Sequence, residues 1–298
     1  MDTGESPLTA DRITEIPAGI SDQSPSPEPV LISLDNPPWG TLSAFLTWLG
    51  SVGLLLFVPV LTALPYLIYR AMNGLPVDDS MRADKNFIFF TVLGVIPAHL
   101  LTLLIAWLVV THAGRYPFWK TLGWEWPGHF GPWKSVAIAI SLLAVGIAVT
   151  YFFGGPKTEL EEIINSSFRT RVVMAILAAT TGPLIEEIIY RGVIYAALQR
   201  FIGVVWTVLV VSMLFAGVHV YQYRSNIWVI AVICLLSVTL TFVRAYSGRL
   251  LPPFIIHFVF NGIQSVLLVV QPFFEKNDQT TPEPIPAQLT AILLRYFT

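Results

Sequence analysis

The stretch Pro183-Leu-Ile-Glu186-Glu187-Ile-Ile-Tyr-Arg191-Gly192 sets two adjacent carboxylates and a guanidinium inside a long apolar run. Met174-Ala-Ile-Leu-Ala-Ala precedes it and Val193-Ile-Tyr-Ala-Ala-Leu follows it. At the centre of a bilayer each such ionisable group costs about 2.5–3.5 kcal/mol on insertion scales, so groups of this kind are retained where they face a polar interior and serve a function. The rest of the chain reads as scaffold and partners for this segment.

The whole composition supports a membrane setting. The 298 residues are 54% hydrophobic and only 12% charged, with a mean hydropathy of +0.67. A soluble domain carries about 25% charged residues. Several apolar runs are long enough to cross a bilayer, and the predicted fold is all-α, a polytopic transmembrane helix bundle of about seven spans. A formal net charge of −2 gives no support for nucleic-acid binding, so no nucleic acid is expected as a partner. The single cysteine, Cys234, excludes an internal disulfide and a Cys-based zinc site. It sits in an apolar run and is assigned to packing.

In chain order, residues 1–40 read as a disordered acidic tail rich in Pro and Ser, typified by Ser24-Pro-Ser-Pro-Glu-Pro. It lacks the cationic start and apolar core of a signal peptide. Residues 41–170 hold the N-terminal transmembrane helices and interfacial loops, with spans near 42–69, 87–111 and 134–153. Pro59 and Pro65 predict kinks in the first span. Trp119, Trp124, Trp126 and Trp133 predict a loop along the membrane–water interface. Thr158-Glu-Leu-Glu161 matches a capping box and predicts a short surface helix at 159–166. Residues 171–271 form the core of interest, with spans near 171–199, 204–222, 227–246 and 252–271. The remaining 272–298 are a polar tail in which 287–297 is suited to lie flat on the membrane as an eighth, short interfacial helix.

The intramembrane polar groups are few. All eight Asp lie in tails or loops, and of eleven Glu only Glu186 and Glu187 fall inside a span. That removes an intramembrane aspartyl mechanism. No Gly-x-Ser-x-Gly elbow is present, and no His-Glu-x-x-His zinc helix. What remains is spread over three helices: Glu186, Glu187 and Arg191 on one, Phe215 and His219 on the next, His257 and Asn261 on a third. Phe215/His219, His257/Asn261 and Glu187/Arg191 are each four apart, so both members share a helical face. Glu186 is rotated by about 100° from Glu187. Helical geometry therefore predicts Glu187–Arg191 as a structural pair and Glu186 as the reactive carboxylate, with the exchanged assignment of the two glutamates still open. Pro183 predicts a bend or break near Gly182–Pro183, which places the carboxylates in the first turns of a new helix. His99 carries no motif and reads as packing. Arg244 and Arg249 read as loop or interface residues. Gly192, Gly217 and Gly262 are expected to permit close helix approach.

Taken together and in order, Glu186-Glu187-Ile-Ile-Tyr-Arg191, Phe215-Ala-Gly-Val-His219 and His257-Phe-Val-Phe-Asn261 resemble the motif set of the type II CAAX prenyl endopeptidases. The wider group is the CPBP (CAAX protease and bacteriocin-processing) intramembrane proteases, also called the Abi family. The resemblance covers about a third of the chain, 171–265. It implies a glutamate-dependent intramembrane endopeptidase, a hydrolase in which Glu186 and His219 activate a water while His257 and Asn261 stabilise the oxyanion. Glu187 and Arg191 complete the implied site. No cofactor is favoured. Zinc is the alternative, held by Glu186, His219 and His257 with an open position. The implied partners are membrane lipid and a protein or peptide substrate, prenylated or not. The implied location is a multi-pass integral membrane protein, in the cytoplasmic membrane if the source is bacterial.

Two other classes compete. One is a non-catalytic membrane scaffold or bacteriocin-immunity protein of the same fold. The other is a proton-coupled carrier, since intramembrane Glu and His also suit proton relays. Against the carrier, the ionisable groups cluster in the C-terminal half and the chain lacks paired halves.

Overall fold

Uninterrupted apolar sequence becomes helix throughout the described part of the chain. The computed structural model describes residue 1 and residues 36–275. Its helices are α1 (Thr41–Met72), α2 (Lys85–Leu93), α3 (Val95–Val110), α4 (Phe118–Thr121), α5 (Pro132–Phe153), α6 (Glu159–Asn165), α7 (Phe168–Ala179), α8 (Thr181–Glu186), α9 (Tyr195–Tyr223), α10 (Ile227–Ser247) and α11 (Leu251–Glu275). A 3-10 turn, Asp79–Ala83, precedes α2, and a π-helical segment, Glu187–Ile194, joins α8 to α9.

Among the described residues, six segments are long and apolar enough to cross a membrane: Thr41–Met72, Lys85–Val110, Pro132–Phe153, Phe168–Tyr223, Ile227–Ser247 and Leu251–Phe274. The fourth has 56 residues, more than twice the roughly 20 that a bilayer requires. It contains both spans expected at 171–199 and 204–222. Gly203 turns the chain between them with φ 73° and ψ 171°, a backbone state that suits a residue without Cβ. The outward faces of the helices carry large apolar side chains, among them Leu56, Phe57, Val205, Trp206, Met213 and Phe242, all well exposed. The protein is an integral, multi-pass membrane protein.

Local signals fix several boundaries. Thr158 Oγ1 accepts the Glu161 backbone N–H at 3.2 Å and starts the short helix α6. Asp84 caps α2 by accepting from the backbone N–H groups of Asn86 and Phe87. Helix α1 continues through Pro59 and Pro65. At Pro59 it meets the α2–α3 junction, where a Cβ on Gly94 would fall 2.6 Å from the Pro59 Cα.

The main core surrounds the π-helical segment. Ile188, Ile189, Val193 and Ile194 pack with Ala106 and Val110 of α3, Leu122, Phe215 and Leu250. A second cluster joins α5, α10 and α11 through Leu142, Leu143, Leu236, Leu240, Ile256 and Phe260. The tryptophan-rich loop does more than skirt the bundle. Its Leu122 is fully buried and would lie 2.9 Å from a Cβ on Gly192. The neighbouring Gly123 carbonyl accepts the Leu250 backbone N–H at 3.1 Å. Gly192 thus permits the close approach expected of it. Gly217 and Gly262 do not, since a Cβ on either meets nothing within 4 Å. Both sit where their helices face open space rather than a neighbour.

The end of the segment read as a tail is part of the fold. The buried Trp39 donates its indole N–H to the Val193 carbonyl at 3.0 Å, and Arg200 donates to the Trp39 carbonyl at 3.1 Å. Residues 2–35 of that tail, and the interfacial helix expected at 287–297, lie outside the described residues.

Candidate active site

The site begins at a helix break. Pro183 has no N–H to give the Ala179 carbonyl four residues earlier, and its ring crowds that oxygen. The helix accordingly ends at Ala179. Thr180 takes φ −119° and ψ −80°, and α8 restarts at Thr181. Glu186 is the last residue of α8 and Glu187 the first of the π-helical segment, so both lie in the second turn after the break. The Tyr195 N–H bonds the Tyr190 carbonyl five residues back, which is the π register. Segments of this type are rare and recur at functional sites. All eight residues Glu187–Ile194 are buried.

Glu187 and Arg191 are both 0% exposed and pair at 3.0 Å, Arg191 Nη1 to Glu187 Oε1. Arg191 spends its other donors on α10. Nε donates to Thr241 Oγ1 at 3.2 Å, and Nη2 donates to the Ser237 carbonyl at 3.1 Å and to Ser237 Oγ at 2.9 Å. Its guanidinium lies 4.5 Å from the Phe215 ring centre, within cation–π range. Glu187 Oε1 also accepts from His257 Nδ1 at 2.9 Å. Glu187 Oε2 has no hydrogen-bond partner among the described residues.

Glu186 faces the other way, into a cavity of about 450 Å³ that it shares with His219, His257, Asn261, His99 and Tyr223. Its side chain is 29% exposed. Oε1 lies 3.8 Å from His219 Nε2 and Oε2 lies 3.6 Å from His257 Nε2. Both imidazoles are oriented from behind. His219 Nδ1 sits 2.8 Å from the Phe215 carbonyl, which can only accept, so Nδ1 carries the proton. The same reasoning at the Glu187 carboxylate puts a proton on His257 Nδ1. In neutral rings both Nε2 atoms therefore turn lone pairs toward Glu186. Phe215 lies among these groups, with ring centres 4.7 Å from His219 and 6.0 Å from His257.

Asn261 lines the same cavity, and one of its amide hydrogens is given to the Ala178 carbonyl at 3.1 Å. That carbonyl belongs to the last turn of α7, where the break leaves backbone acceptors without helical partners. The structure therefore brings all six residues singled out in the sequence to one place. It also brings two that no motif marks, His99 from α3 and Tyr223 from the end of α9. Nothing in their sequence neighbourhood signals this. Arg244 is buried rather than interfacial, with its guanidinium 4.9 Å from the Tyr195 ring centre. Arg249 keeps its loop position and pairs with Glu125 at 3.1 Å.

The donor set is of the right chemical kind for zinc, two imidazole Nε2 atoms and a carboxylate. Among the described residues, however, no group of three or more His, Cys, Asp or Glu is gathered so as to hold a metal ion.

An all-helical bundle with a Glu–His cavity inside it defines a polytopic membrane protein with a candidate active site. Comparison with known proteins shows what the chain is similar to. Residues 168–263, about a third of the chain, match the family model described as Rce1-like, type II CAAX prenyl endopeptidase. The chain is 26% identical over 210 residues to YdiL of Bacillus subtilis, whose name provisionally assigns it as a membrane peptidase. That match covers 67% of this chain and 80% of YdiL. It is 27% identical over 154 residues to MroQ of Staphylococcus aureus, named as a membrane-embedded CAAX protease, with 47% of this chain and 59% of MroQ covered. No solved structure gives a significant match. The matched segment begins at α7 and contains all three motifs, so the likeness drawn from them in the sequence stands on the same residues.

Proposed function

We propose that the protein is a glutamate-dependent intramembrane endopeptidase in which Glu186 and His219 activate the attacking water. The observation that carries this reading is that each oxygen of Glu186 faces a different histidine Nε2, at 3.8 and 3.6 Å, inside a cavity. Both separations exceed direct hydrogen bonding, and the carboxylate and both imidazoles open on one cavity where a water can reach them. Glu186 removes a proton from that water as hydroxide oxygen bonds to the scissile carbonyl carbon. The C–N bond then breaks as the proton passes to the leaving amine, with His219 as the second proton carrier. The oxyanion is met by the second amide hydrogen of Asn261 and by His257. In its Nδ1–H tautomer His257 has no proton on Nε2, so it donates to the oxyanion only as imidazolium. Glu187 on its far side accepts from Nδ1 and favours that charge, although it shares its own charge with Arg191.

Arg191 and Glu187 hold the geometry and do not contact substrate in this scheme. No step passes through a metal. The cavity also reaches Val52, Leu55 and Leu56 of α1, an apolar lining suited to a peptide that carries a lipid or an apolar segment. The names of the family and of MroQ support a CAAX-type, prenylated substrate. The bacterial relatives support a place in a bacterial cytoplasmic membrane.

The test is hydrolysis of a fluorogenic prenylated peptide by purified protein, beside Glu186→Ala, His219→Ala and His257→Ala. Loss of cleavage in all three, with folding intact, supports the assignment. Robust cleavage by Glu186→Ala refutes it. If no peptide of a library is cleaved while the variants keep biological activity, the non-catalytic scaffold is the better reading.

A further inference from the structure

Helix α8, which aims Glu186, is built without its own start. It has six residues, Thr181–Glu186, and its N-cap Thr180 makes no side-chain capping bond. The Thr180 hydroxyl is instead donated backward to the Ile176 carbonyl. Pro183 supplies no N–H, and the residues before it keep donors with no partner inside the helix. A helix this short is marginal by itself. Its first side chain, Thr181, nevertheless has a fixed partner from outside the matched family segment: His99 Nδ1 of α3 lies 2.8 Å from Thr181 Oγ1. His99 is buried and lines the cavity that holds Glu186.

We infer that His99 is a positioning residue for Glu186, acting through Thr181 to fix the start of α8. The inference rests on the peptidase reading only for its kinetic readout. A lost bond here lets the break at Thr180 adjust, and Glu186, five residues on, moves relative to His219 and His257. Misplacement of a reacting group by about 1 Å can cost 10²-fold in rate. The effect belongs in kcat, because neither His99 nor Thr181 carries the chemistry.

The experiment is a double-mutant cycle on the prenylated-peptide assay. His99→Leu and Thr181→Val are each expected to lower kcat roughly tenfold, with the double variant no worse than the poorer single one, as for directly coupled neighbours. Thr181→Ser and His99→Asn, which retain polar partners, are expected to recover most of the rate. Multiplying losses in the double variant, or wild-type kcat in both singles, overturns the inference. A second readout is independent of turnover: the rate at which a hydrophobic carbodiimide labels Glu186 in native membranes, followed by mass spectrometry. His99→Leu and Thr181→Val are expected to change that rate by the same factor, and an unchanged rate overturns the inference. If wild type cleaves nothing, the peptidase reading falls while the labelling still decides the role of His99.

Discussion

Glu187 and His257 share a 2.9 Å hydrogen bond that crosses from the π-helical segment to α11, through the same carboxylate oxygen that receives Arg191. One buried carboxylate oxygen thus orients the histidine that faces Glu186 and neutralises the guanidinium that binds α10. Two of the three motifs are joined at a single atom.

Removing Glu187 leaves Arg191 buried and unpaired. Breaking a buried pair from one side costs about 3–5 kcal/mol. Glu187→Ala is expected to lose stability on that scale, measured by thermal unfolding in detergent. Replacing both residues with leucine is expected to restore most of the stability and none of the peptidase activity.

His219 offers a cleaner separation of activity from stability. It is partly exposed and holds only its own helix carbonyl. His219→Gln is expected to lower kcat by about 10²–10⁴, the usual contribution of a general acid–base group. Its unfolding midpoint should stay close to wild type. A rate within a few-fold of wild type would remove His219 from the proton path.

Gly192 tests the packing under the site. A Cβ there meets Leu122 Cδ2 at 2.9 Å and Leu250 Cδ2 at 3.4 Å, and both leucines are fully buried. Gly192→Ala is expected to cost about 1–3 kcal/mol by overpacking. Leu122→Ala in the same chain is expected to relieve part of that loss, seen as a less-than-additive change in unfolding midpoint.

Asp84 supplies a pH dependence outside the membrane spans. Burial pushes its carboxyl up, but the Phe87 and Asn86 N–H groups, the Tyr66 hydroxyl and the Arg70 guanidinium together hold it below the ordinary 3.8. A carboxylate depressed on folding stabilises the fold above its unfolded pKa and loses that contribution as pH falls through the folded one. The stability gap between wild type and Asp84→Asn is therefore expected to be constant above about pH 5 and to close below about pH 4. Unfolding midpoints across that range measure it. Asp84→Ala also removes the α2 cap and is expected to cost about 1 kcal/mol more.

Metal dependence is checked directly. Hydrolysis is expected to survive dialysis against a strong chelator, and added zinc is expected not to raise it. Loss of activity that zinc restores would replace the water-only scheme with a Glu186–His219–His257 metal site.

The sequence by itself determined the helical membrane class, because each span is a run of apolar residues whose length matches a bilayer. It also picked out six residues that the fold gathers at one place, though not His99 or Tyr223, which line the same cavity. Intramembrane Glu, His, Arg and Asn are few, spacing puts them on shared helical faces, and the resemblance of the three motifs to one family groups Glu186, Glu187, Arg191, His219, His257 and Asn261. Pro183 announced the break, since its missing N–H is a property of the residue and not of its neighbours. Tertiary structure decided the rest. Leu122, Leu250 and Trp39 close around Gly192 and Val193 of the π-helical segment, contacts made from distant parts of the chain. The pairing of Glu187 with His257, and of His99 with Thr181, depends on which helices lie side by side, and no local periodicity encodes that. Glu186 and Glu187 are adjacent in sequence and alike in chemistry. They part company because Arg191, Ser237, Thr241 and His257 seal one away from water while the cavity leaves the other open to it.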